Sequence, residues 1–507
     1  MKKLINWLKW LDNNILKFYL YIFIFFIPLW FKFPLIDIEF TYISIRLDDV
    51  FVAVLYILFI IQVLRKKVKP KFKFFIPIAL FWIAVSISFL LSHYILDTVH
   101  EFQIGFYHAL RRVEYMFVFF VAMASVDSKK TFLTYIRLYI LAMLIVSIYG
   151  LGQRFFNLPA VQTMNPEYAR GRILYLTPEA RISSTFGGHF DLSSYLILSL
   201  PIAFAYYLYT NKKRYIFYAI LAIGNLVYTV QRISFISYVA TITPFLLIAR
   251  KFKLYLLIAL ITLGLIFTSG DLIKRFTQTF QFKLIFVNRE TGDVTISQKI
   301  TTKELPAGNY EIPIPKSVVK KVKTTKKTQE ELLELAKKKA LEEQISKGGV
   351  LSDPTNLKRV NEIASLMDVK KVLLCDISCS TRIQVEWPRA IVAFIISPIF
   401  GSGPSSITEA TDNDYLRWLG EFGLVGTILF LFILIRLLHF LFKNCKKLVK
   451  EEKFLFYGFI FGFIALLINA TYLDVFEASK VAYNFWFLSG IFVGYLLINK
   501  TAIKQKV

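Results

Sequence analysis

The chain has 507 residues, 56% of them hydrophobic, with 50 phenylalanines and a mean hydropathy of +0.54. No soluble protein keeps that much apolar surface dry, so the composition excludes the soluble globular classes and points to a polytopic membrane protein. The formal charge of +26 is dispersed among short loops, the pattern of Lys/Arg-rich cytoplasmic loops facing anionic lipid and not of a nucleic-acid-binding patch.

In chain order, Met1–Lys17 is basic, carries Trp7 and Trp10, and is expected as an interfacial segment on the inner side. Apolar runs near 16–33, 50–63, 74–91, 113–126, 133–152, 192–209, 215–230, 233–248 and 254–268 predict nine spans. RKKVKPKFK (Arg65–Lys73), Lys129–Lys130, NKKR (Asn211–Arg214) and ARKFK (Ala249–Lys253) mark their inner connections. The outer connections carry Asp37, Glu39, Asp48 and Asp49, then His93, His100, His108, Arg111 and Arg112, then a longer loop from Gln153 to about Asp191. Three more spans follow near 419–442, 454–470 and 481–498, with the basic KNCKKLVKEEK after the first and NKTAIKQKV at the end. Twelve spans result, with both termini inside. The first apolar run is long and has no small-residue cleavage site, so no cleavable signal peptide is expected.

Between the ninth and tenth spans hydropathy collapses over about 270–386. LPAGNYEIPIP (Leu305–Pro315) suggests strand and turn. Thr328–Ser346, with Leu332, Leu333, Leu335 and Leu341 among charges, suggests an amphipathic helix, and Asn356–Met367 a second. The expected fold is therefore an all-α polytopic membrane protein with about 12 transmembrane helices and a large outer-face α+β insertion. Residues 1–269 form spans one to nine, 270–386 the extracytoplasmic insertion, and 387–507 an interfacial segment with the last three spans. Cys375, Cys379 and Cys445 are too few for a disulfide framework. Cys375 and Cys379 lie four apart, where pairing within a regular helical turn is awkward, so pairing and inertness both stay open.

Four stretches could carry chemistry. Arg181, in RISSTFGGH, lies beside Ser183, Ser184, Thr185 and His189 and follows Arg170 and Arg172, a cluster suited to phosphate. Its bland alternative is snorkelling to headgroups. Arg232, with Gln231 and Ser234, interrupts apolar sequence from 221 to 247, as a functional intramembrane cation does, or as a polar turn does. In Arg382–Ser406, the apolar run 390–400 is too short to span and is expected along the interface. Gly401, Gly403 and Pro404 behind it make a turn, and the glycines would let backbone approach a ligand. DNDYLRWLGEFGLVGTILFL (Asp412–Leu431) sets Asp412, Asn413 and Asp414 where a span meets water. Asp412 is either a helix N-cap or the group that orients and deprotonates a sugar hydroxyl.

Asp412-Asn413 followed after nine residues by Gly423 and then Gly426 resembles the outer-face signature of the O-antigen ligase and O-antigen polymerase superfamily. Trp387 with Pro398, Gly401 and Gly403 is similar to that family's Trp…Pro-x-x-Gly-x-Gly element. Arg181 with Thr185-Phe186-Gly187 is similar to its Arg…Thr-Phe-Gly element, and Arg232 to its Ser-Arg pair. Gln231 stands where Ser is typical, Arg382 lies one residue further from Trp387 than in the family, and Asp412 replaces the His of the ligase branch. The resemblance implies an inverting glycosyltransferase of the cytoplasmic membrane that needs no metal or other cofactor. Its donor would be a polyprenyl-diphosphate-linked oligosaccharide and its acceptor a lipid, glycan or protein. Asp412, Asn413, Arg232 and Arg181 would be catalytic, and Arg170, Arg172, Trp387, Gly401, Gly403 and Tyr415 substrate-binding. Asp at 412 favours polymerisation of repeats over ligation of finished glycan. Rival readings are metal-dependent lipid-sugar transfer on Asp48-Asp49, a transporter, and a nonenzymatic receptor acting through the insertion.

Overall fold

The computed structural model describes residues 2–37, 44–163, 173–177, 180–288, 294–296, 320–321, 333, 336, 362, 364–407 and 411–504. Its internal contacts divide the chain into two units, Met1–Ile273 with Glu386–Val507, and Lys274–Val385.

In the first unit, each of the twelve expected spans is a helix. They are α1 (Lys2–Leu29), α2 (Leu47–Leu64), α3 (Phe75–Tyr94), α4 (Phe102–Ser125), α5 (Lys129–Phe155) and α6 (His189–Thr210), then α7 (Arg214–Tyr228), α8 (Arg232–Ile248) and α9 (Phe252–Ser269). After a short helix α10 (Asp271–Gln278) and the second unit, which holds α11 (Ile377–Thr381), come α12 (Trp387–Ile396), α13 (Asp414–Cys445), α14 (Lys450–Asn469) and α15 (Ser479–Lys504). Eight of these are long and apolar enough to cross a membrane: α1, α2, α3, α5, α6, α9, α13 and α15. The other four are shorter or carry more charge. α7 and α8 have 15 and 17 residues, α4 includes Arg111, Arg112 and Glu114, and α14 begins with Glu451 and Glu452 in its first turn.

The helix ends follow local chemistry. Ser128 caps α5 by accepting the Thr131 amide at 3.2 Å, and Asn211 closes α6 in the left-handed region at φ 55°. α6 and α15 form the centre, with 83% and 89% of their apolar windows buried, against 17% for α9 at the edge. Backbones at the centre pack closely through two Gly-x-x-x-Gly pairs. Gly458 and Gly462 of α14 meet the Pro201 and Leu198 carbonyls of α6, while Gly490 and Gly494 of α15 meet the Phe119 and Met123 carbonyls of α4. Large apolar side chains also point outward, among them Ile57, Ile83, Leu260, Phe267, Ile428 and Ile435. Such a belt is stable against lipid and not against water.

The basic connections meet at one end of this unit. Asp12 pairs with Arg65 and Lys67, Lys17 with Asp127, and Lys129 with Glu452. Lys71 donates to the Met123 and Val126 carbonyls at the end of α4, both at 2.9 Å, and burial pulls its amine down to about 8 against the pull of Asp127.

The first unit also holds two small antiparallel pairs, β1 (Pro34–Asp37) with β2 (Ser44–Arg46) and β3 (Ala160–Val161) with β4 (Ile173–Leu174). The second unit contains a four-stranded antiparallel sheet of order β6-β5-β8-β7, formed by β6 (Val294–Ile296), β5 (Phe280–Asn288), β8 (Met367–Cys375) and β7 (Lys320–Lys321). Its spine is β5 on β8, running from Phe280↔Cys375 to Asn288↔Met367. These two strands do not stand out in the local pattern. The expected strand-turn at Leu305–Pro315 and helix at Thr328–Ser346 lie outside the described residues, apart from isolated helical positions at 333 and 336. Cys375 is disulfide-bonded to Cys379 with Cα atoms 5.8 Å apart. The awkwardness of pairing within one helical turn does not arise, because Cys375 ends β8 and Cys379 sits in α11 beyond a corner.

Candidate functional site

The stretch expected to run smoothly into a span is broken. α13 is interrupted at Gly423, whose φ of 62° and ψ of −164° lie in a region essentially reserved for glycine. An unbroken helix would bond the Leu424 and Val425 amides to the Gly420 and Glu421 carbonyls. Instead the turn at 398–403 enters the gap and supplies both sets of partners. Leu424 and Val425 donate to the Pro398 and Ile399 carbonyls at 2.8 and 3.0 Å, while Ser402 and Gly403 donate to Gly420 and Glu421 at 2.8 and 3.0 Å. Ser88 adds a bond to the Glu421 carbonyl at 2.7 Å, and Thr98 one to Ser402 at 2.6 Å. The close approach expected of Gly401 is thus made to helix backbone: a Cβ on Gly401 would lie 2.4 Å from the Glu421 carbonyl. A Cβ on Gly403 would strike Ser92. α12, which leads into this turn, lays Ala390 and Ala393 on α13 and exposes Ile391, Val392, Ile395 and Ile396.

Below the break lies a buried ionic network. Arg417 contacts Glu421 at 3.2 Å, Asp474 at 2.7 Å and the Ile407 carbonyl at 3.3 Å. Arg112 joins Glu421 at 3.2 Å and also Glu477. Glu421 is fully buried. Two guanidinium groups around one carboxylate offset the cost of removing it from water. Asp474 also accepts the amides of Thr411 and Asn413, at 2.9 and 3.1 Å, and so grips the chain on both sides of Asp412. Asp412 itself is half-buried with φ 48°, the left-handed region that Asp tolerates better than most side chains. The helix cap is Asn413, which accepts the Leu416 amide at 3.1 Å and donates to the Thr471 carbonyl at 3.1 Å, and not Asp412. Asp414 is buried and accepts the Val475 and Phe476 amides at 2.8 and 3.1 Å. Tyr415 donates its hydroxyl to the Leu467 carbonyl at 2.9 Å. Trp387 opens α12 with its ring edge-on to Tyr472, 6.3 Å between centroids.

The two arginines are linked to this region through buried polar contacts. Arg181 contacts His189, the first residue of α6, at 2.7 Å. One turn on, Ser193 bonds Ser234 at 2.8 Å, two residues after Arg232 at the start of α8. Ser234 bonds Asn469 at 3.0 Å, and Asn469 returns to Ser194 at 2.8 Å. Asn469 ends α14, immediately before the 470–476 loop that holds residues 411–414. Arg181, Arg232, Asp412 and Asn413 thus belong to one end of the bundle, opposite the basic connections. Ser183, Ser184 and Thr185, grouped with Arg181 as a cluster suited to phosphate, are buried. Gln153 accepts the Ser183 and Ser184 amides, and Thr185 donates to the Pro28 carbonyl at 2.6 Å. Lys480, also buried, donates to Pro28, Trp30 and Thr185 carbonyls at 3.2, 2.5 and 2.8 Å and pins the Arg181 loop to α1. Arg170 and Arg172 lie outside the described residues. Arg382, in the second unit, donates to the Ser378 carbonyl at 2.6 Å.

The rival acidic pair opens α2: Asp49 accepts the Arg46 amide at 2.9 Å, and Asp48 is buried beside it. Burial, with Arg111 nearby, holds Arg46 below the usual guanidinium range. Among the described residues no three His, Cys, Asp or Glu side chains gather as metal ligands. His93 contacts the Val99 carbonyl at 2.8 Å and His100 contacts Asp97 at 3.1 Å. Arg112, Arg417, Glu421, Asp474 and Glu477 carry no role in the sequence reading. One local signal was available, since Arg417 and Glu421 stand four apart in an apolar context, the spacing of a helical ion pair.

Fold and outward apolar belt define a mostly helical, multi-pass membrane protein. The chain matches no protein-family model and no curated protein.

Proposed function

We propose that the protein is a membrane glycosyltransferase that moves a polyprenyl-diphosphate-linked glycan onto an acceptor at the outer face of the cytoplasmic membrane, polymerising surface-polysaccharide repeats. The observation that carries this reading is Asp412, held in a left-handed conformation by Asp474 at the two flanking amides, at the end of the bundle that also bears Arg181 and Arg232. In this scheme Asp412, with Asn413, accepts the proton of the acceptor hydroxyl. The hydroxyl oxygen attacks the anomeric carbon, the bond to the diphosphate breaks, and the configuration inverts. Arg181 and Arg232 take up the charge that develops on the departing diphosphate. All twelve helices cross the membrane with the basic connections and both termini inside. α12 lies in the outer interface on its exposed isoleucines. The Cys375–Cys379 pair fits this orientation, because disulfides persist on the oxidising side of a membrane.

Glycan length in cells tests the chemistry. With Asp412→Ala the glycan is expected to stop at single repeats. Full-length lipid-linked polymer that fails to be attached would make the enzyme a ligase, and an unchanged profile would sink the site. Arg232→Ala is expected to lower transfer about 10²-fold at unchanged protein level, the usual cost of one charge-stabilising donor. Orientation is tested separately with a membrane-impermeant maleimide on intact cells. Cys375 and Cys379 should label only after a membrane-impermeant reductant. Labelling without reductant, or none after it, contradicts the assignment.

A further inference from the structure

At the opposite end, where α3 begins and α13 ends, lies a cavity of 310 Å³. That is at the lower end of the roughly 300–1,000 Å³ of small-molecule sites. Four cations line it, Lys73, Arg436, Lys443 and Lys447, and no acidic side chain does. None of the four pairs with a carboxylate among the described residues. Arg436 is held over the rings of Phe74 and Phe432 at 5.9 and 5.6 Å, and Lys73 over Phe440 at 5.3 Å. The cavity therefore has a cationic rim on an aromatic floor. Arg436 precedes Lys443 by about two helical turns, roughly 10 Å at 1.5 Å per residue, so positive charge runs from the membrane edge into the loop. On the bilayer side of Arg436, Ile428, Phe432 and Ile435 recur at i, i+4 and i+7 and are all exposed, an apolar strip leading straight to the charge.

We infer that this cavity binds the phosphate of an anionic phospholipid, with its acyl chains along the Ile428–Phe432–Ile435 strip. A zwitterionic headgroup brings its own cation to the rim and gains little there, so the site should discriminate by net charge. The inference does not depend on the glycosyl-transfer reading, since it concerns other residues at the other end of the bundle.

The test uses the full-length protein in detergent, titrated with phosphatidylglycerol or phosphatidylcholine and followed by native mass spectrometry and thermal unfolding. Phosphatidylglycerol should be retained and should raise the unfolding temperature, and phosphatidylcholine should do neither. Each cation removed should weaken phosphatidylglycerol binding about 5-fold, so R436Q/K443Q should weaken it about 25-fold. The control K66Q/K69Q removes two exposed cations from the same end, away from the cavity. Inorganic phosphate that protects as well as the lipid would support the cavity and make the free anion its occupant. Equal retention of both lipids, or equal loss in R436Q/K443Q and K66Q/K69Q, would overturn the site in favour of general surface attraction.

Discussion

Gly423→Ala should leave little folded protein. The added Cβ would lie 2.4 Å from the Gly401 amide nitrogen and 2.5 Å from the Ile399 carbonyl, in backbone contacts that cannot rotate away. It would also sit at φ 62° and ψ −164°, where a side chain costs about 1–3 kcal/mol. Forcing atoms into a packed site costs about as much again. A total near ~4 kcal/mol is a large part of a typical domain's ~5–15 kcal/mol. Gly264→Ala is the matched control, because that glycine is helical with nothing within 4 Å of its Cβ. It should be neutral, or stabilising by up to about 1 kcal/mol. Size-exclusion profiles and thermal unfolding in detergent read both. Wild-type behaviour of Gly423→Ala would mean that the helix is not broken there.

Arg417→Ala should cost about 3–5 kcal/mol, the usual result of removing one partner from a buried pair. It leaves Glu421 fully buried with Arg112 alone and frees Asp474 from its guanidinium. Asp474 holds the amides of Thr411 and Asn413, so the loop bearing Asp412 should loosen as well. Transfer activity is then expected to fall even where enough stability remains for the protein to be purified. Adding Glu421→Gln to Arg417→Ala should recover part of the loss, since the orphaned charge is gone. Residues in direct contact show coupling of about 0.5–3 kcal/mol in such cycles. Zero coupling between Arg417 and Glu421 would refute the network.

The helices were legible because hydropathy is local and additive. A run such as Leu254–Thr268 needs no distant partner to be recognised. The break at Gly423 was not legible for the opposite reason. Several glycines mark that stretch, but what fills the gap is the turn at 398–403, and hydrogen bonds between separate segments leave no periodic trace. Similarly, β5 and β8 pair across about eighty intervening residues. Of the candidate residues, sequence reasoning found the loop but assigned its parts by type. Ser184 and Thr185, grouped with Arg181 by type, are tied to Gln153 and to the Pro28 carbonyl, and the Tyr415 hydroxyl donates to the Leu467 carbonyl, partners that no local pattern announces.

The sequence by itself determined the membrane class, the positions of the twelve helices and the gathering of basic connections, since each rests on the transfer free energy of short segments. Only the tertiary structure decided that Asp412 is not the cap of α13 but a left-handed residue clamped beside it. It also decided that the acidic stretch ends in a broken helix over a buried ion network. Burying Glu421 and Arg417 is tolerable only when each meets opposite charge, and Arg112 reaches Glu421 from 309 residues away while Asp474 reaches Arg417 from 57. Folding alone brings such partners together.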